Sequence, residues 1–340
     1  MDNPSDAGAP APGVNLVGGP ADERPTTAPE PRDWIVRGRQ WRRAESATWA
    51  VAAAVYGGWL ALTWFTHALP WWLVLPLGGV LVAWHGSLLH ETVHGHPTGA
   101  RWVSELLAFP SLWLWLPYGI YRESHLAHHA CARLTCPVED PESFYVTPEA
   151  WRAMGRVRRR LHVIRNTLGG RLVLGPAVVV FDLLVDAARR LACGNVAHLR
   201  HWLVHAVSAA LVVAWVVIVC GIPLWEYILA FAYPGLALTL LRSFTEHRPG
   251  RGQADSTVIV DAGPVFSLLF LNNNLHAVHH RRPELPWLLV GRWYRAGADP
   301  ETRRGREFQF AGYREIARRF LFHPKDSPEH PGFAVAGPRP

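Results

Sequence analysis

Four long apolar runs limit what this 340-residue chain can fold into. Residues 47–69 and 71–89 make one pair, and residues 202–220 and 224–241 make the other. Each run approaches the roughly 20 apolar residues that carry a helix across a hydrocarbon core. Inside a bilayer the backbone must satisfy its own hydrogen bonds, so such runs are read as helices. The connections HALP (67–70) and GIP (221–223) leave room only for tight hairpins. Trp71 and Trp72 suit an aromatic belt beside the first of them. The expected fold is an all-α integral membrane protein with four transmembrane helices.

Two further apolar stretches do not read as spans. Residues 105–121 are short and broken by Pro110 and Pro117, which predicts a re-entrant or interfacial segment. Had this segment crossed, the histidines after it would face the opposite side from those before it. Residues 171–186 are interrupted by Gly175 and Pro176 and carry Asp182, which predicts an amphipathic helix lying on the membrane.

The charge pattern orients the bundle. The formal net charge is +7, carried almost entirely by Arg. No nucleic-acid-binding motif accompanies it, so no nucleic-acid partner is expected. Arg37, Arg39, Arg42 and Arg43 precede the first run, Arg152 to Arg165 and Arg189, Arg190 and Arg200 crowd the long loop, and Arg281, Arg282, Arg292 and Arg295 follow the last run. Neither short hairpin carries Arg or Lys. Positive charge gathers on the cytosolic side, so both termini are expected there, in the inner, cytoplasmic membrane if the source is bacterial. Residues 1–31, rich in Pro, Gly and Ala and without a signal-peptide pattern, are expected to be a disordered tail. Residues 32–323 then form one membrane domain, and residues 324–340 a flexible C-terminal tail. The four cysteines lack metal-type CxxC spacing and read as ordinary thiols.

The chemistry-bearing residues are histidines. His125, His128 and His129 stand at i, i+3 and i+4, and His276, His279 and His280 repeat that spacing. His90 and His94 lie one helical turn apart. On a helix each set shares a face, so its rings can point the same way. His247, in RSFTEHR (242–248), follows the last apolar run directly. The expected topology brings all nine to the cytosolic side. Neutral imidazole suits Fe, Zn, Cu and Ni. A zinc site needs about four ligands, so nine point to two metals. The Glu and Glu-x-x-His set of soluble di-iron bundles is missing.

The segments HETVHGH (90–96), YRESHLAHH (121–129) and NNNLHAVHH (272–280), in this order and separation, resemble the three histidine boxes of the membrane fatty acid desaturase and hydroxylase superfamily. The resemblance covers about residues 33–295. It implies a cytosolic helical cap holding a di-iron site, with His90, His94, His125, His128, His129, His247, His276, His279 and His280 as ligands. It implies O2 as co-substrate and two electrons from a separate donor protein of the ferredoxin or cytochrome type. The substrate it implies is an acyl-lipid, acyl-CoA or acyl carrier protein at the bilayer. An Asn or water often stands near one iron in this superfamily. Asn272, Asn273 and Asn274 are all candidates, with helix capping as their plainer role. Glu246 is a candidate for orienting a ligand ring, or a surface acid.

Several residues have simpler explanations. Asp140 and Glu142, in VEDPES (138–143), are candidates for holding local backbone or Arg, and turn chemistry accounts for Asp140-Pro141. His85 and His96 are read as neighbours of the site, not ligands. His198, His201 and His205 also share a helical face and are assigned interfacial or capping roles. His330-Pro331-Gly332 faintly resembles a haem-binding signature and is set aside.

Desaturation of an acyl chain is the leading function. Hydroxylation or ketone formation on a carotenoid or other apolar substrate uses the same centre. A zinc-dependent membrane hydrolase needs about three ligands and leaves six histidines without a purpose. An apolar substrate is expected to enter along residues 113–121, its head group meeting arginines among residues 152–165.

Overall fold

The computed structural model describes residues 36–250, 256–297 and 309–333. The tail expected over residues 1–31 lies outside them. The membrane bundle is built from α1 (Trp41–Trp64), α2 (Trp71–Val93), the short α3 (Arg101–Ala108) and α4 (Tyr118–Ala130). Then come α5 (Pro148–Ala153), α6 (Arg156–Arg165), α7 (Leu168–Val173) and α8 (Gly175–Ala192). The second hairpin is α9 (Leu199–Val219) and α10 (Leu224–Glu246). The cap adds α11 (Pro264–Leu269), α12 (His276–Arg281), α13 (Trp287–Ala296) and α14 (Tyr313–Phe320). Two-residue strands β1 (Ile259–Val260) and β2 (Gln309–Phe310) pair in parallel.

Helices α2, α9 and α10 are long and apolar enough to cross a membrane. The fourth expected span, α1, is a 24-residue helix that falls below that apolar level. Arg42, Arg43 and Glu45 crowd its first turns, and Gly, Thr, Tyr and Trp dilute the remainder. It nonetheless packs into the bundle through Val51, Val55 and Trp59. Trp59 Nε1 donates to Tyr227 OH at 3.1 Å, and Trp215 Nε1 donates to Thr63 Oγ1 at 3.0 Å. The two hairpins meet at one end, where His67 Nε2 lies 2.9 Å from Cys220 O.

Helices α2 and α10 cross closely because glycine lines the contact. A Cβ added at Gly78 would stand 2.7 Å from Ala230 O, and one at Gly235 would stand 2.5 Å from Val82 Cγ1. With no hydrophobic drive between helices in lipid, such backbone approach is a main source of association. The crossing sets the far ends of α2 and α10 beside each other, and both ends carry histidines.

Residues 105–121 divide into the end of α3, an irregular stretch and the start of α4. Pro117 caps α4 in extended conformation, as a residue ahead of a new helix does. The irregular stretch is pinned from both sides. Tyr227 OH donates to Leu112 O at 2.8 Å, and Trp113 Nε1 donates to Val82 O at 3.0 Å. The segment turns back, so α4 ends beside α2.

The C-terminal boundary differs from the expected one. Residues 324–333 are packed, not a free tail. Lys325 N donates to Asn166 O at 2.8 Å, His330 Nε2 lies 3.0 Å from Thr135 Oγ1, and Val146 pairs with Glu329. Composition there is Pro-rich and polar, but buried hydrogen bonds hold it on the cap.

Candidate metal centre

All nine histidines meet where α2, α4, α10 and α12 converge, and they separate into two groups. His90, His94, His125, His129 and His279 form one, and His128, His247, His276 and His280 the other. Within each group the candidate ligand atoms lie within 4.8 Å of one another. The division follows from helix geometry and refines the single shared face expected for each motif. Residues four apart return to nearly one direction, whereas consecutive residues diverge by about 100°. His125 and His129 therefore serve the first group while His128 serves the second. In α12 the roles reverse: His276 and His280 serve the second group and His279 the first. Each HxxHH motif thus reaches both groups. His247 joins the second group because α10 ends there, with His247 already extended.

Ring nitrogens pointing away from the centre are held by acceptors. His128 Nδ1 lies 2.7 Å from Asp140 Oδ1, and His125 Nδ1 lies 3.1 Å from Glu142 Oε1. His247 Nδ1 faces Ser256 O at 3.2 Å, and His276 Nδ1 faces Asn273 Oδ1 at 3.0 Å. A neutral ring that donates from Nδ1 keeps a lone pair on Nε2. Those lone pairs converge. His247 Nε2 lies 3.0 Å from His128 Nε2 and 2.9 Å from His276 Nε2. His125 Nε2 lies 3.1 Å from His129 Nε2, which is 3.0 Å from His279 Nε2. His94 Nε2 and both nitrogens of His280 are buried with no hydrogen-bond partner. Lone pairs meeting at 3 Å repel unless a cation lies between them, so the donor set fits a pair of transition-metal ions.

Burial, reinforced by neighbouring imidazoles, pushes His94, His125, His276, His279 and His280 well below the ordinary imidazole range. Burial likewise lowers His247, and His129 falls to about 3. Neutral rings are the ligating form. His128 differs. Burial, the largest single influence, opposes its charge, but the bond to Asp140 and the charges of Glu142, Asp140 and Glu246 together outweigh burial and raise its pKa. An environment that favours imidazolium there also favours a bound cation.

The three asparagines have different partners. Asn272 Nδ2 donates to Trp287 O and Asn274 Nδ2 to Val260 O, both structural bonds. Asn273 is at the centre: its Nδ2 contacts His90 Nε2 at 3.2 Å and Glu246 Oε1 at 3.3 Å, while its Oδ1 faces His276. Glu246 pairs with Arg242 at 2.7 Å and lies 3.6 Å from His276 Nδ1. Sequence reasoning missed Asp140 and Glu142 as ring-orienting acids. Their signal is a pair of carboxylates 11 and 13 residues after the last histidine of the HxxHH motif, too short a span to leave the motif's neighbourhood.

The remaining histidines stand outside both groups. His198 and His201 face Glu123 at 3.4 and 2.9 Å. His85 is buried against the edges of Tyr56 and Trp113. Burial pushes His96 down to about 4, and His330 bonds Thr135.

A cavity of about 350 Å³ adjoins the centre. Its apolar wall includes Trp113, Trp115, Leu116, Ile120 and Tyr121, from the stretch expected to guide substrate. The head-group arginines expected among residues 152–165 do not line it. Arg159 instead bonds Trp151 O, and Arg165 pairs with Asp182 at 3.7 Å. The cations in the cavity wall are Arg171, Arg242 and Lys325.

A helical membrane bundle with a cap of paired histidine groups defines a class of membrane-embedded metal-binding oxidoreductase. The family model for fatty acid desaturases matches residues 66–310, and the chain belongs to that family. The match spans all nine histidines. No curated protein matches the chain.

Proposed function

We propose that the protein is an O2-dependent di-iron oxidoreductase that desaturates a fatty acyl chain or related lipid within the membrane. One observation carries this reading: nine histidines, on four converging elements, form two compact all-imidazole groups. Two irons bound there would activate O2 for removal of hydrogen from an unactivated C–H bond. The protein's part is orientation. Asp140, Glu142, Asn273 and the Ser256 carbonyl fix the ring tautomers. Trp113, Trp115 and Leu116 exclude water and align an apolar chain beside the centre.

In this reading α1 is the fourth span, both hairpins face outward and the histidine cap faces the cytosol. A separate ferredoxin or cytochrome supplies the electrons. The contact of His67 with Cys220 supports this topology by setting both hairpins at the end opposite the histidines. Outside-only labelling of single cysteines at Pro70 and Pro223 should succeed, and labelling at Ala150 should fail. The function is tested by product analysis in a lipid-rich host expressing the chain. New double bonds in lipids are expected, absent in a His128→Ala control. Incorporated oxygen without new double bonds would reassign the chemistry to a hydroxylase or ketolase, and unchanged lipids under O2 with a matched donor would contradict both.

A further inference from the structure

The polar end of the cavity beside the histidines carries three cations, and two are matched. Arg242 Nε lies 2.7 Å from Glu246. Lys325 Nζ donates to His247 O at 2.6 Å and lies 3.4 Å from Asp326. Arg171 is not matched. It is 4% exposed, its Nε is buried without a hydrogen-bond partner, and among the described residues it makes no ion pair. Its guanidinium lies over the Phe144 ring, 4.0 Å from the centroid, and 5.9 Å from that of Phe244, so its contacts there are aromatic and not anionic. The largest charge effect on it comes from Arg165, of the same sign. The nearby Tyr145 hydroxyl is committed to Asp326 at 2.9 Å. The cavity's carboxylates are committed too, Asp140 to His128 and Glu142 to His125.

A buried cation without an anion beside it is costly, and aromatic faces offset only part of that cost. A planar guanidinium offers paired N–H donors that match a carboxylate or phosphate. We propose that Arg171 binds an anionic head group, carboxylate or phosphate, while the attached apolar chain lies along the Trp113–Ile120 side of the cavity toward the histidines. The ligand is thus an acidic amphiphile whose acid group enters the cavity itself, instead of resting on the arginines of α6. Calling that ligand the substrate rests on the desaturase reading; the binding site does not.

The test is direct binding of radiolabelled octanoate, octyl phosphate and octanol to the full chain in lipid nanodiscs, with iron content measured on the same preparation. At least one acid is expected to bind about tenfold or more tighter than octanol. Arg171→Gln should erase that preference while keeping octanol affinity, and Arg171→Lys should keep part of it. Tighter octanoate binding indicates a free acid, and tighter octyl phosphate binding a phospholipid-type head. Octanol binding as tightly as both acids to the wild-type chain would overturn the proposal, without recourse to any variant. So would an acid preference that survives Arg171→Gln. Acid-selective binding by a preparation that cannot be loaded with iron would support Arg171 and count against the di-iron centre, so the two failures are distinguishable.

Discussion

The two histidine groups are built differently. The five-histidine group leans more on helix packing: α2, α4 and α12 each bring rings to it, His125 and His90 are bonded from outside by Glu142 and Asn273, and His94 has no partner for Nε2. The four-histidine group depends on hydrogen bonds. Asp140, Ser256 and Asn273 hold three of its rings, and Lys325 holds the His247 carbonyl. Redundancy goes with packing and rigidity with bonding. One group can lose a ring and keep four, whereas the other has none in excess.

The largest effect expected from this contrast is on metal stoichiometry. His128→Ala or His276→Ala should lose the metal of the four-histidine group, lowering bound metal from two per chain to about one, by elemental analysis. His94→Ala should retain both metals. Equal losses in all three variants would erase the distinction. Turnover should vanish in His128→Ala and His276→Ala, which lose a metal, and fall less in His279→Ala, whose group keeps four rings.

Packing supports the five-histidine group from further away. Gly78→Val drives a side chain into Ala230 O and the Phe231 ring. Overpacking costs roughly 1–3 kcal/mol, and the far ends of α2 and α10 should separate. Thermal unfolding in detergent should show a lower midpoint, with metal lost first from the group containing His90 and His94. An unchanged midpoint would detach the glycine crossing from the site.

The same contrast explains what was legible in the sequence. The nine histidines could be found because i, i+3, i+4 spacing is local and survives any tertiary arrangement. Their division between two groups follows from the 100° step between consecutive residues, but which ring serves which group needs the partner helices. Asn273 could not be chosen from its neighbours, since three adjacent amides differ only in where the backbone aims them. The packed 324–333 segment was hidden because its Pro-rich composition matches that of a tail. Its stability comes from Asn166, Arg248 and Thr135, more than 75 residues away in sequence. Arg171 was read as the start of an amphipathic helix, because burial cannot be inferred for a lone Arg beside apolar residues.

Smaller effects separate the orienting acids. Asp140 and His128 are both almost fully buried and 2.7 Å apart, whereas the Glu142 side chain is 30% exposed and 3.1 Å from His125. Asp140→Asn should weaken metal affinity about 10- to 100-fold, read by chelator competition. Glu142→Gln should weaken it less, and the reverse order would contradict the assignment of rigidity to the four-histidine group.

A pH effect follows from His129. In the metal-free protein its pKa is held near 3 by burial and by His125, against 6.5 for the unperturbed group. The unfolded chain therefore binds this proton first. Stability should fall as pH drops from about 6.5 toward 3, as a declining unfolding midpoint. Bound metal should shift that loss to lower pH. The smallest effect is expected for His201→Ala, whose ring contacts Glu123 outside both groups; metal content and turnover should be unchanged.

The most direct test of the two-metal centre is metal analysis of the purified chain after anaerobic reconstitution with ferrous iron. The proposed centre predicts two irons per chain. One metal per chain, or stoichiometric zinc that ferrous iron does not replace, would contradict it.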